Sequence, residues 1–219
     1  MNEEKSRAEN SKKSLNNADF TDADLKEADL SSGILIEACL KGADLTEADL
    51  CDSDVSSASF EGARLHRTLL HRCRGCNANF SGATLTQANL VEANLIGADF
   101  SDANLRESNI EGADLKNTKL KNANLSDTNM TGAFLSNADL SNADFTNADL
   151  IATDLTNSDL TGSNFDNTYL NHADLSGANL KHTKNLTYEQ IETTFITKDT
   201  ILPDNLGLKW ISDSEYEFD

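Results

Sequence analysis

Residues 138–150 read Ala138-Asp139-Leu140-Ser141-Asn142-Ala143-Asp144-Phe145-Thr146-Asn147-Ala148-Asp149-Leu150. A large apolar residue recurs at every fifth position. A small residue stands two places before it, and an acid lies between them. The same register extends in both directions. From Leu15 to Leu180 every multiple of five is Leu or Phe except Val55, Gly75, Ile110 and Met130, and only Gly75 lacks an apolar side chain. From Ala18 to Ala178 every position two before is small: mostly Ala, otherwise Gly33, Cys73 and scattered Ser and Thr. Gly or Asn is favoured just before the small residue, as at Gly82, Gly97, Asn137 and Asn142.

A helix at 3.6 residues per turn smears a period of five around its surface. A flat strand sends successive fifth residues to opposite faces. A coil that turns a corner every five residues places every fifth side chain inside, and four such sides close a square. Gly and Asn at the corners suit positive φ. Coils of about 20 residues stack at roughly 4.8 Å, so the run makes about 8.5 coils and roughly 40 Å of rod. Stacking by 20 then sorts the core into columns. Phe60, Phe80 and Phe100 form an aromatic ladder in one column, and Phe145 and Phe165 pair in another.

The A(D/N)LXX pattern over about residues 14–183 resembles the pentapeptide repeat family. The resemblance implies an all-β fold, a right-handed quadrilateral parallel β-helix. The expected organisation is a polar tail over 1–13, which could alternatively fold over the first coil, the solenoid over 14–183, a cap over 184–211 and a solvated acidic tail over 212–219. Thr187-Tyr188-Glu189-Gln190 reads as a capping box opening a short helix over about 188–195, with Tyr188, Ile191 and Phe195 against the last coil, and a short strand is expected near residues 200–202. Tyr188, Ile191, Phe195, Leu206, Leu208 and Trp210 are candidates for cap packing or, alternatively, for a homodimer contact.

Composition narrows the function. Of the 219 residues, 18 are Lys or Arg and 37 are Asp or Glu, giving a formal charge of −19. Direct nucleic-acid binding is disfavoured by repulsion from phosphates. No apolar run reaches the roughly 18 residues of a membrane span, and residues 1–13 lack a signal peptide's apolar stretch, so cytoplasmic residence is the expectation. No phosphate-cradling glycine motif and no nucleophile with a placed base appears, so no catalytic residue, cofactor or enzymatic activity is assigned. His71-X-Cys73-X-X-Cys76 superficially suggests zinc. However, Cys73 occupies an inward slot and Cys76 an outward one, so no metal site is assigned.

In a regular repeat, departures on the outside carry the functional information. The strongest is Arg64–Cys76. Arg64, His66, Arg67, Leu69, His71, Arg72, Arg74 and Cys76, with Val91 and Ile96 in the next coil, form a candidate protein-binding patch, basic and apolar on an acidic rod. Charge relief against Asp44, Asp49 or Asp54 is the competing account. Gly75 leaves either a void or a gap that neighbours fill. Fourteen Asp residues stand just before a core position, and five come in succession: Asp139, Asp144, Asp149, Asp154 and Asp159. Solubility explains them, but mimicry of duplex DNA is the alternative. B-DNA carries about one charge per 1.7 Å, or about 24 over roughly 40 Å. The family resemblance implies that such a rod, as a dimer, modulates a topoisomerase such as DNA gyrase in the manner of quinolone-resistance proteins. Plain repeats without loops and the Asn-rich middle of the rod weigh against it. The first reading is therefore a non-catalytic interaction scaffold with an unidentified protein partner, and the second a DNA mimic. Phe134 and Tyr169 stand out as exposed exceptions.

Overall fold

The computed structural model describes residues 3–211 and 216–218. From Asp19 to Asn164, each residue just before a core position bridges in parallel to the residue 20 places later, as in Asp19↔Cys39, Asp24↔Asp44, Asp29↔Asp49 and Ile34↔Asp54. Four parallel ladders therefore run along one continuous coil, one per side. We name the faces by their ladders: the Asp19, Asp24, Asp29 and Ile34 faces.

The backbone accounting explains why the register never slips. In each repeat the core residue's N–H bonds the coil below, as in Phe20 N–H to the Cys39 carbonyl at 2.8 Å. The N–H of the preceding Asp or Asn slot bonds the coil above, as in Cys39 N–H to the Ala18 carbonyl at 2.9 Å. The small residue closes the corner by donating to the core residue before it, as in Ala23 to Phe20 at 3.0 Å. Shifting one repeat by a residue would break all three sets and turn Leu outward.

Every residue just before the small position, from Asn17 to His182, has positive φ. This bears out the reading of Gly and Asn at the corners. Gly97 shows the second reason for glycine: at φ +70, an added Cβ would sit 2.6 Å from Asn77 Oδ1. Ala152 occupies the same conformation at φ 55 without glycine's freedom, at a cost of roughly 1–2 kcal/mol.

The core is apolar and filled. Phe60, Phe80 and Phe100 stack with centroids 4.7 Å apart and rings within 3° of parallel, and Phe145 meets Phe165 at 5.4 Å. Such contacts add about 0.5–1.5 kcal/mol each beyond the area they bury. Gly75 leaves no void. Leu95 Cδ2 and Val55 Cγ2 close over it, lying 2.9 and 3.2 Å from where a Cβ would stand. Where Ser or Thr replaces the small Ala, its hydroxyl usually donates to a carbonyl, as in Ser53 to Leu50 at 2.6 Å and Thr68 to Leu45 at 2.8 Å. Ser108 Oγ is the exception among the described residues: it is buried without a partner.

Of the two readings of the N-terminal segment, a tail or a cover for the first coil, the second holds among the described residues: Glu3–Ser11 forms α1 and Lys12–Ser14 a 3-10 turn. The reason is the open edge of the first coil. The Lys12 carbonyl accepts from Ile34 N–H at 2.6 Å, Glu9 Oε1 accepts from Asp29 N–H at 3.0 Å, and Ala8 is fully buried. Lys12 also pairs with Asp29 at 2.7 Å.

At the other end, α2 (Tyr188–Ile191) opens with the expected capping box. Thr187 Oγ1 accepts from Gln190 N–H at 3.3 Å, and Gln190 Oε1 accepts from Thr187 N–H at 2.9 Å. Gln190 Nε2 donates to the Phe165 and Thr168 carbonyls at 3.0 and 2.8 Å, covering the last coil's edge. Ile191 and Leu206 are buried. Phe195 is not: it continues the Ile34-face ladder through Asp174↔Phe195, which points its ring outward, 59% exposed. Tyr188 lies at the surface, its hydroxyl donating to the Asn205 carbonyl at 3.3 Å. Ile201 extends the Asp19-face ladder from Asn179. The cap is thus partly a further coil. Leu208–Trp210 forms β1, pairing antiparallel with β2 (Tyr216–Phe218). The acidic tail expected over 212–219 is therefore part of a hairpin at 216–218; 212–215 and 219 lie outside the described residues.

Candidate interaction surfaces

The residues of the arginine-rich stretch stand in one coil but on three faces. Arg64 bridges Asp44 and Thr84, Leu69 bridges Asp49 and Asn89, and Arg74 bridges Asp54 and Asn94. They make a belt around the rod rather than one patch. Each arginine reaches an acid one coil above: Arg64 to Asp44 at 2.8 Å, Arg67 to Glu47 at 3.5 Å, Arg72 to Asp52 at 2.9 Å and Arg74 to Asp54 at 3.2 Å. The 20-residue stack places side chains of successive coils in register, so a cation beside an acid in the same column relieves repulsion. Asp44 is the hub. Its Oδ1 accepts from the Thr46 N–H and hydroxyl, and its Oδ2 from Arg64 and Lys26. Burial alone raises its carboxyl, but the hydrogen bonds from Thr46, Arg64 and Lys26 outweigh burial and hold it well below the usual carboxylate range.

Of the apolar members, Leu69 stands on the face between Arg64 and Arg74, and Val91 and Ile96 stand one coil further on. Leu69 is exposed; Val91 and Ile96 are half-buried. Cys51, in an outward column, is nonetheless buried because the His71 ring folds over it, Sγ 2.9 Å from Nδ1. Burial, with the Asp49 carboxylate second, pushes its thiol up to about 12. The raised value disfavours the thiolate at this position. A shallow hollow of about 390 Å³ opens beside it, lined by His71, Arg72, Asn89, Val91 and Glu92. His66 Nδ1 meets Thr86 Oγ1 at 2.8 Å. Cys73 is wholly buried with its thiol also pushed up by burial to about 12, while Cys76 Sγ donates outward to Asn94 Oδ1 at 3.2 Å.

The Asp run has a structural duty that its sequence position did not reveal. Asp139, Asp144, Asp149, Asp154 and Asp159 each accept, on Oδ1, the N–H two residues on, at 2.9–3.1 Å. Four of the five also take a Ser or Thr hydroxyl from the same residue. The backbone N–H at that corner points outward with no carbonyl in reach, so a short side-chain acceptor two residues earlier satisfies it. Asn does the same, as at Asn79 and Asn124, which accounts for the interchange of Asp and Asn. The five acids circle the rod, with Asp139 and Asp159 stacked in one ladder and the others one to a face.

The acids are unevenly neutralised. Between Lys121 and Lys181 the chain holds no Lys or Arg. None of the acids from Asp139 to Asp174 joins an ion pair among the described residues, whereas those of the first coils repeatedly do. Phe134 and Tyr169, both exposed, stand in this segment, Phe134 beneath the Lys116 ammonium of the preceding coil. Among the described residues no cluster of His, Cys, Asp or Glu has a metal-holding arrangement, and no helix is long and apolar enough to cross a membrane.

A coil of four ladders built on A(D/N)LXX defines a class, and the comparisons agree: the chain belongs to the pentapeptide repeat family, whose model matches in eight copies with segments lying between residues 11 and 184. Among solved structures it is similar to full-length QnrB1, a plasmid-mediated fluoroquinolone resistance protein, at 16% identity and TM-score 0.61, over 85% of this chain and 86% of that one. HetL of Nostoc sp. strain PCC 7120, a pentapeptide repeat protein involved in heterocyst differentiation regulation, is 31% identical over 72% of this chain and 82% of its own, with TM-score 0.38. The pentapeptide repeat protein alr5209 of Nostoc is 31% identical over 51% and 75%, with TM-score 0.40. No curated protein sequence matches.

Proposed function

We propose that this protein is a non-catalytic interaction scaffold: a rigid, acidic, right-handed β-helical rod whose outward side chains hold a protein partner in the cytoplasm. What supports this reading is a division of labour along the chain. Inward positions are apolar or carry small hydroxyls, nearly all bonded to carbonyls, while outward positions other than the Asp or Asn slot vary in chemistry on a frame fixed by backbone bonds. The belt from Arg64 to Ile96 is the first candidate surface. Its arginines are paired within the rod yet keep more than half of their side chains exposed, so they can also meet a partner's acids.

The test is affinity capture with wild type and an Arg64→Gln, Arg72→Gln, Arg74→Gln variant. Gln is preferred to Glu because Glu would stack like charges on Asp44, Asp52 and Asp54. A partner retained equally by both forms removes the belt from the reading.

A second reading is a DNA-mimicking modulator of a topoisomerase such as gyrase, acting as a homodimer joined through the cap. Acids that circle the rod in a segment without Lys or Arg favour it. A supercoiling assay, with and without a fluoroquinolone, tests it by titration into the tens of micromolar. Inhibition or drug protection that weakens in an Asp139→Asn, Asp144→Asn, Asp149→Asn variant supports mimicry. No effect across the range rejects it.

A further inference from the structure

The Ile34 face changes character toward the C-terminal end. Its ladder runs Asp114↔Phe134↔Asp154↔Asp174↔Phe195. Two aromatic rings, 43% and 59% exposed, therefore bracket two stacked carboxylates on one flat strip. Three rungs separate the rings, about 14 Å at the strand spacing. The strip already shows what it attracts. Lys116 Nζ lies 4.9 Å from the centre of the Phe134 ring while pairing with Asp114 at 3.2 Å. No such cation stands by Asp154 or Asp174 among the described residues. Their Oδ1 atoms are held by Ser or Thr two residues on, while Oδ2 is left for another donor.

We infer that this strip is a docking site for an extended segment of a partner protein with the pattern apolar-x-Arg/Lys-x-apolar. Extended chain rises about 3.3–3.4 Å per residue and returns to the same face every second residue. Residues i and i+4 therefore fall about 13–14 Å apart, matching the two rings. Residue i+2, on the same side, falls midway, over Asp154 and Asp174. Charge selects the cation and the rings select its apolar neighbours; a helix would need about nine residues for the same reach. The inference rests on the reading of the rod as an interaction protein, but on a different surface from the arginine belt.

The experiment is an amide NMR titration of the full chain at about 150 mM salt, which screens general attraction to the acidic rod. The probes are the blocked peptides Ser-Leu-Ser-Arg-Ser-Leu-Ser and its reordered form Ser-Leu-Leu-Arg-Ser-Ser-Ser. We expect saturable shifts centred on residues 134, 154, 174 and 195, with the reordered peptide at least fivefold weaker. Phe134→Ser with Phe195→Ser, both surface changes, should weaken the first peptide at least fivefold while the spectrum stays folded. Asp139→Asn with Asp159→Asn, on a face without aromatic residues, should change Kd less than twofold. Equal affinity for the two peptides, or equal losses in the two variants, reduces the effect to bulk charge and overturns the docking strip. Absence of saturable shifts at millimolar peptide also overturns it. Either result leaves the arginine-belt test of the scaffold reading intact.

Discussion

Asp44→Asn and Asp139→Asn make the same chemical change in the same slot of the repeat, and the structure gives them different costs. In both, Oδ1 takes the N–H two residues on, at 3.1 Å from Thr46 and 3.0 Å from Ser141. Asparagine keeps that acceptor, so the corner survives. The difference lies on the other oxygen. Asp44 Oδ2 receives Arg64 Nε and Nη2 at 3.1 and 2.8 Å and Lys26 Nζ at 3.0 Å, and the side chain is only 7% exposed. In Asp44→Asn the side-chain amide would aim a donor at two cations. Because Arg64 and Lys26 have exposed side chains that can rehydrate, the full penalty of an orphaned buried charge does not apply, and the loss should be about 1.5–3 kcal/mol. Asp139 has no cation partner among the described residues, so its change should stay within about 0.5 kcal/mol. At roughly 2–4 °C per kcal/mol for a chain of this length, thermal melts followed by circular dichroism should drop by about 3–12 °C for Asp44→Asn and by under about 2 °C for Asp139→Asn. Equal shifts refute the reasoning: both small would mean the cross-coil pairs contribute nothing, both large that charge matters to the corner itself.

Ala152→Gly should raise the melting temperature, because relief of the φ 55 conformation outweighs glycine's entropy by about 0.5–1 kcal/mol; an unchanged or lowered melt counts against a strained corner. Ser108→Ala should stabilise by up to about 1 kcal/mol by removing the unpartnered hydroxyl, while Ser53→Ala, which loses its bond to Leu50, should destabilise by about 1 kcal/mol; denaturant midpoints give both signs. Asp29 is held at about 2, chiefly by the Lys12 hydrogen bond, and Asp44 is depressed by its partners against burial. Depressed carboxylates stabilise fully above their unfolded value, near pH 4, and lose that contribution as pH falls through the folded values. Urea midpoints should therefore fall between about pH 5 and pH 2, and less steeply in Asp44→Asn; identical slopes would sink this assignment.

The five-residue period made the interior legible, because core residues answer to one rule: every multiple of five points inward, down to the stacked rings of Phe60, Phe80 and Phe100. The capping box at Thr187 was legible for a different reason, being local. Three things were not. Helix α1 has no apolar stripe, and it folds only because the first coil offers it unpaired N–H groups at Asp29 and Ile34. Phe195 reads as a packing residue in a helix, but the helix stops at Ile191 and the ladder turns its ring outward. The Asp run reads as surface charge because an Asx bond to the next corner is invisible without the turn's geometry. Among the outward candidates, Arg64, Arg72 and Arg74 could have been paired from sequence alone by counting back 20 residues to Asp44, Asp52 and Asp54.

Four repeats to a coil also set how this chain tolerates insertions and deletions. Removing 20 residues would restore every column, inside and out, and merely shorten the rod. Removing five would keep an apolar residue at nearly every inward position, though not the same residue in each column, and would rotate everything downstream by a quarter turn. Phe134 would then stand under a different acid, and the Arg64 belt would face a new direction relative to the cap. The backbone ladders survive that change while the exterior is rewritten by it. Surface arrangement can thus drift in quarter-turn steps over the length of the solenoid, at the cost only of the cross-coil ion pairs and ring stacks that span the deletion.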